Sequence, residues 1–341
     1  MPRIKAVSSI AIGGPNRWGI DGVISGLSLL WGNAGTGKSF VAVSMGVSIA
    51  TGRPWLGRRT KEGPVIYIAG EGGEEGVAHR VRAALKEWTV DLDDHSEQVP
   101  FFVVTPGVDL VEGGGELLDL VGEKTDVRLI VVDTLSRCFV GDENKQEFMG
   151  KFVRTLDYLR DHYRCDILVI HHANKQRELR GSSVLFGAVD VSWHLTQSRE
   201  RNKVAGEKDL FMRADKLRER PSEGATLQFR ATPRTLVGPH GRTVLDEFGD
   251  EGTTLVIKPT KKDLESAARI RDKGLEMIKD KHSVHYTAWR AEFPTLSKAE
   301  FDNALSFVVT FPGHWGIMRD DRVGTYTKAV RGVENHWSSL A

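Results

Sequence analysis

Residues 32–39 read Gly-Asn-Ala-Gly-Thr-Gly-Lys-Ser. An apolar run (Leu27, Leu29, Leu30, Trp31) leads into them, and a helix-like run from Phe40 to Ile49 follows. No other stretch restricts the fold so strongly. G-x-x-x-x-G-K-[ST] between a strand and a helix is the phosphate-binding P-loop in the context it requires. Its glycines let the backbone wrap closely, so that main-chain N–H groups point at phosphate oxygens. The following helix adds the positive end of its dipole. Gly32, Asn33, Ala34, Gly35, Thr36, Gly37, Lys38, Ser39 and Phe40 therefore form the expected nucleotide cradle. Lys38 would reach the β- and γ-phosphates, and the Ser39 hydroxyl would bind Mg²⁺. ATP and Mg²⁺ are the expected cofactors.

A chain of 341 residues exceeds most single cores, so one large or two unequal domains are expected. Net charge is +1, which excludes a global basic field; any nucleic-acid surface must be local. Cys138 and Cys165 have neither disulfide-framework nor zinc spacing, and Cys165 reads as a buried thiol. The longest apolar stretches fall short of a membrane span. Met1–Ile12 starts basic but has no long apolar region, so a cytoplasmic protein without a membrane partner is expected.

Short apolar runs alternate with helical patterns. Leu27–Trp31, Val65–Ala69, Phe101–Thr105, Arg128–Asp133 and Asp166–Ile170 read as strands. Lys38–Thr51, Glu75–Trp88, Glu116–Glu123 and Glu147–Tyr163 read as helices. This order predicts an α/β fold with a mostly parallel sheet covered by helices on both faces. Ligands of such sheets sit at the carboxyl ends of the strands. Trp18, Ile20, Val23 and Ile24 precede the first strand and would cover either that strand or a nucleotide base. Beyond Val189, the runs Asp190–Thr196, Asp209–Asp215, Thr226–Thr232 and Thr253–Ile257 predict antiparallel or meander strands that extend the sheet. Lys258–Asp263 (KPTKKD) is the expected linker, dividing the chain into 1–258 and 259–341. In the second part, three helices (Leu264–Lys281, Tyr286–Phe293, Ser297–Val309) precede a hairpin with a charged tip, Arg319–Gly324. That is the order of a small winged-helix-like α+β domain. From Lys258 onward there are 14 Lys and Arg against 11 Asp and Glu, a net of +3, which permits DNA contact.

The strand ends carry the chemistry. Asp133 closes an apolar strand about a hundred residues after the P-loop, the Walker B place for an acid that holds Mg²⁺ directly or through water. Glu71 sits just past the strand after the P-loop helix. It would orient or deprotonate the attacking water, or else serve as a solvated loop acid. His172 follows the fifth strand and would donate to the γ-phosphate, while His171 fits a structural role. Lys175, Arg177 and Arg180 lie in the next loop, which would face DNA or simply be solvated. Lys216 and Arg218 point the same way from a strand-like edge, either as a cation pair supplied in trans to a neighbour's ATP or as a surface pair.

In order, GNAGTGKS, IAGEGG, VVDTLSR, LVIHHANK and RGSSVL resemble the RepA-type plasmid and phage replicative helicases among the RecA/DnaB-like ATPases. The resemblance spans roughly Trp18–Thr232. It implies a RecA-like P-loop NTPase core, a homohexameric ring, ATP sites between subunits and single-stranded DNA in the channel. Lys38 and Ser39 match its Walker A pair, Glu71 its catalytic glutamate, Asp133 its Walker B acid and His172 its phosphate sensor. The family's arginine finger lies shortly after RGSSVL, where this chain has Asp190. Lys216-Leu217-Arg218 is instead similar to the K-x-R finger of RadA-like relatives. The expected function is therefore an ATP-driven DNA helicase, with the C-terminal domain loading, tethering or binding an initiator or primase. The alternatives are a recombination or repair ATPase, and an ATP-switched DNA-binding initiator or regulator.

Overall fold

A computed structural model describes residues 18–328 apart from 88–98, 113, 123–125, 175–178, 180–182, 199–204, 219–224, 239–241, 247, 279–282, 297, 299–300, 303, 306–307, 309–316 and 321–324. The apolar runs become strands β1 (Leu27–Gly32), β2 (Val65–Ala69), β3 (Phe101–Val104), β4 (Leu129–Asp133) and β5 (Asp166–His172). The helices are α1 (Lys38–Thr51), α2 (Gly73–Lys86), α3 (Gly115–Val121), α4 (Gln146–Tyr163) and α5 (Ser183–Ala188). Then follow β6 (Val191–Gln197), β7 (Lys208–Leu217), β8 (Thr226–Thr235) and β9 (Thr253–Lys258). Together they make one nine-stranded sheet in the order β3-β2-β4-β5-β1-β6-β7-β8-β9.

The first five strands are parallel. So is β6, which pairs with β1, and the antiparallel part begins only at β7. This corrects the expectation for Asp190–Thr196. β6 starts beside Ser28 at the foot of β1, after α5, and so runs in the same direction as β1. β1, β2 and β4 are buried throughout, as both-face coverage demands. One core lies between the sheet and α1 and α2, and is closed by Phe229 and Ala231 of β8. The other lies under α3, α4 and α5. α1 is small and apolar on nearly every side, so it is buried all round and stops at Gly52 (φ +66°). Trp18, Ile20, Val23 and Ile24 belong to the first core and cover β1 rather than a base.

β5 runs two residues further than the sequence predicts, so His171 and His172 stand on the strand rather than after it. Histidine is polar enough to end an apolar pattern, yet both residues keep the ladder with Trp31 and Gly32.

The expected linker shrinks to two residues. Lys258 still belongs to β9, and α6 (Lys261–Ile278) begins at once. Thr260 caps it: Asp263 Oδ2 accepts from Thr260 N (3.1 Å) and Oγ1 (2.7 Å), and Thr260 Oγ1 accepts from Asp263 N (3.2 Å). Next come β10 (Ser283–His285), α7 (Tyr286–Ala291), helical residues between 298 and 308, β11 (Ile317–Asp320) and β12 (Thr325–Lys328). They form a second sheet, β10-β12-β11, beside a third core around Trp289 and Phe301. Arg319 and Asp320 lie in β11 rather than in the hairpin tip, and 321–324 lie outside the described residues.

Candidate active site

The P-loop leaves β1 at Gly32, whose missing side chain lets the backbone pass against the Leu195 carbonyl of β6. Gly35 (φ +74°) and Gly37 (φ +94°) then take left-handed conformations, and nothing fills the space a Cβ at Gly35 would occupy. The cradle is thus open and lies at the start of α1, the shape a phosphate chain requires. Lys38 is buried, and its ammonium donates to Gly32 O (3.0 Å) and Asn33 O (2.9 Å). Burial pulls its pKa down to about 8, against the opposing charges of Asp133 and Glu71. The loop is further tied by Thr36 Oγ1 donating to Asn33 O (2.9 Å) and Lys208 Nζ to Gly35 O (3.4 Å).

The predicted residues of neighbouring strand ends meet here. Lys38 Nζ is 3.2 Å from His172 Nδ1. A lysine ammonium can only donate, so Nδ1 accepts and the proton of the neutral ring sits on Nε2. That nitrogen faces Glu71 Oε1 at 3.7 Å. Thr134 Oγ1 donates to the same oxygen (3.3 Å), and Arg137 Nε lies 3.9 Å from it. Glu71 remains partly open to solvent.

Asp133 is fully buried at the end of β4, opposite Ala69 of β2. Burial pushes its pKa up; hydrogen bonds from Tyr67 and Ser39 and the charge of Arg80 oppose this, while Glu71 adds to it. Tyr67 OH donates to Oδ2 at 2.5 Å, whereas Oδ1 has no hydrogen-bond partner among the described residues. A buried carboxylate oxygen left orphaned beside the P-loop serine is what a Mg²⁺ ion or its water would satisfy. The residues present fit the cofactor pair. Among the described residues there is no cluster of three His, Cys, Asp or Glu that would hold a metal without a phosphate.

Two residues of this site escaped sequence reasoning. Tyr67 lies inside an apolar strand, where a tyrosine reads as core. Arg80 of α2 places its guanidinium 4.8 Å over the Phe40 ring, and its charge favours ionised Asp133. No carboxylate lies within ion-pair distance of it among the described residues. The available signal was its place beside Val77 and Val81 on the buried face of α2.

Other predicted residues lie elsewhere. His171 is buried with Nε2 3.6 Å from Glu143 Oε2. Cys138 and Cys165 are buried thiols, both pushed up to about 12 chiefly by burial. Lys175, Arg177 and Arg180 lie outside the described residues. Lys216 pairs with Ser192 of β6, Arg218 follows the end of β7, and the ladder between β7 and β8 covers Lys208–Arg213. Only the Lys208 end of β7 adjoins the P-loop, while Lys216 pairs with Ser192 at the opposite end. Lys216 Nζ donates to Phe186 O (2.9 Å) and Gly187 O (3.0 Å) at the end of α5, and Arg218 Nη1 lies 2.6 Å from Asp190 Oδ1.

A mostly parallel sheet with a P-loop, a buried acid one strand removed and a carboxylate beside both defines a RecA-like P-loop ATPase. The sequence narrows this further. Residues 6–178 match the AAA domain family, and the chain belongs to it. Among solved structures, it is similar to a KaiC-like protein from the hyperthermophilic archaeon Pyrococcus horikoshii OT3. The two are 14% identical with a TM-score of 0.45, and the match covers 71% of this chain and 94% of that one.

Proposed function

We propose that this protein hydrolyses ATP to drive movement on single-stranded DNA, as a replicative helicase of plasmid or phage type. The observation that carries the hydrolytic part is the continuous link Lys38–His172–Glu71, which joins the phosphate lysine to the water-handling acid. The DNA part rests on the resemblance of the five ordered motifs. On this reading the division near Lys258 separates the motor from a winged-helix-like domain that contacts DNA, an initiator or a primase.

Bound Mg²⁺ would neutralise charge on the phosphates and polarise them. The chain does the rest. The cradle's N–H groups hold the phosphates, and Lys38 leaves its two carbonyls to reach the β- and γ-oxygens. Ser39 and Asp133 Oδ1 form the metal side, and Arg80 adds positive charge from the same subunit. Glu71 accepts a proton from the attacking water and orients it. His172, with its proton on Nε2, spans lysine and glutamate, so loss of the γ-phosphate changes its contacts. Lys175, Arg177 and Arg180 follow it within eight residues in sequence, which suits transmission to DNA. Lys216 and Arg218 would complete a neighbour's site in a hexameric ring. Their K-x-R spacing also supports a second reading, a RadA-like recombination or repair ATPase.

The test pairs ATPase with strand-displacement assays. Glu71→Gln is expected to keep nucleotide binding and lose roughly 10²–10⁴-fold in turnover. Lys38→Ala is expected to lose both. A wild type that forms rings and binds single-stranded DNA but never displaces a strand would remove the helicase reading and leave the recombination one.

A further inference from the structure

β2 reads Val-Ile-Tyr-Ile-Ala, and Tyr67 is fully buried on the α1 face. Its ring packs against Phe101, with centroids 5.9 Å apart. Phe101 in turn fills the space above Gly46 of α1, where a Cβ would overlap it. A phenylalanine at 67 would fill the same space, so packing does not account for the hydroxyl. The hydroxyl instead faces the metal side of the site: it donates to Asp133 Oδ2 at 2.5 Å and also hydrogen-bonds with the Ser39 side chain. The two oxygens of Asp133 are thereby made unlike: Ser39 also hydrogen-bonds the carboxylate, Oδ2 is held by the phenol, and Oδ1 is buried without a hydrogen-bond partner among the described residues. Lys38 interacts with Asp133 through charge, but its ammonium hydrogen-bonds to Gly32 O, Asn33 O and His172 and not to Oδ1.

We propose that Tyr67 is a positioning residue for the metal side of the site: by pinning Oδ2 it fixes the carboxylate plane so that Oδ1 is the oxygen offered to Mg²⁺ or its water shell. The proposal rests on the reading of Ser39 and Asp133 as the Mg²⁺ residues. The terminal torsion of an aspartate is broad and roughly two-fold, so an unpinned carboxylate would present either oxygen and rotate between them. A hydrogen bond to the distal oxygen removes that freedom before the metal arrives. Partners of this kind are worth roughly 10–100-fold in metal affinity. The tyrosine acts only through Asp133, which gives it a signature distinct from a packing role.

The experiment titrates Mg²⁺ into the full-length protein with a fluorescent ATP analogue and reads binding rather than turnover. Tyr67→Phe is expected to bind the analogue as wild type does in EDTA, and to need about tenfold more Mg²⁺ or higher for the same gain in affinity. Coincident Mg²⁺ curves for variant and wild type would overturn the proposal. So would an equal loss in EDTA, which marks a general packing defect. If the single variant is unstable, the Asp133→Asn background serves, because no carboxylate is left unpaired there. Adding Tyr67→Phe is expected to change Mg²⁺-dependent binding no further, and an additional loss would refute action through Asp133. A wild type whose affinity ignores Mg²⁺ would overturn the metal-site reading and the proposal with it. A Mg²⁺-responsive wild type with an unshifted variant would overturn the proposal alone.

Discussion

Asp166 stands at the foot of β5, far from the chemistry, and its carboxylate is buried. Gly26 N donates to it at 2.7 Å, and Gly19, lacking a Cβ, lets the carboxylate approach the lead-in segment. Burial pushes its pKa up from 3.8 to about 7, outweighing the Gly26 bond and the charges of Arg128 and Lys61. A folded-state value above the unfolded one means the protonated form is favoured by folding. Its contribution is complete below about pH 4 and is lost as pH rises through about 7. Asp166→Asn is therefore expected to gain stability relative to wild type as pH rises from about 4 to about 7, measured as the difference between two denaturant-midpoint series. Parallel series would rule this out. The contrast with Asp133 explains what a sequence reveals at this scale. Lys38, Ser39, Glu71, Asp133 and His172 were legible because motif spacing and strand ends mark them. Tyr67, Arg80 and Asp166 sit in apolar or helical stretches with no pattern of their own. Their roles come from which strands lie side by side, and that is a property of the sheet.

At the scale of elements, α6 and α7 pose a conflict of magnitudes. Gly274 sits inside α6, where alanine would normally gain about 1 kcal/mol in helix propensity. Yet a Cβ there would overlap the Trp289 indole, which is fully buried and donates from Nε1 to Ile270 O at 3.0 Å. Overpacking costs typically 1–3 kcal/mol, so the clash should win. Gly274→Ala is expected to destabilise the third core while nucleotide binding stays at the wild-type level. Hydrogen exchange across 261–291 would report it, and unchanged protection there would contradict the packing argument. Thr260→Ala should cost a further 1 kcal/mol or so by removing the α6 cap. Long periodic elements were readable in the sequence: α1, α4 and β2 fall within a residue or two of expectation. Short ones were not. β10 is three residues long and exists because β12 pairs with it, Val284 against Tyr326. β6 looked antiparallel because a strand's direction is set by the crossover before it, and α5 is a helix of only six residues.

At the scale of the whole molecule, the P-loop and the Lys216–Arg218 pair lie at opposite ends of β7. Lys216 stands eight positions along β7 from Lys208 at the P-loop, a span on the order of 25 Å, and Arg218 lies just past the end of the strand. Arg218 therefore cannot serve the ATP site of its own chain. Its present partner does not bar another use. The Arg218–Asp190 pair is half-exposed on the arginine side, and such pairs are worth about 0–1 kcal/mol. Asp190 would not be orphaned by its departure, because Leu27 N donates to it at 3.0 Å and Arg160 Nη1 lies 3.5 Å away. A heterologous head-to-tail contact would bring this end of one subunit against the P-loop end of the next, and such contacts form rings where the rotation between subunits closes and helical filaments where it does not. If so, Lys38→Ala and Arg218→Ala should each abolish turnover alone and complement each other when mixed. In a random equimolar assembly, about one quarter of interfaces pair an intact P-loop with an intact arginine. ATPase activity should return towards about a quarter of wild type after subunit exchange. Mixed rings with no recovered activity, or an Arg218→Ala protein that turns over normally by itself, would exclude Arg218 as the residue that completes the neighbouring site.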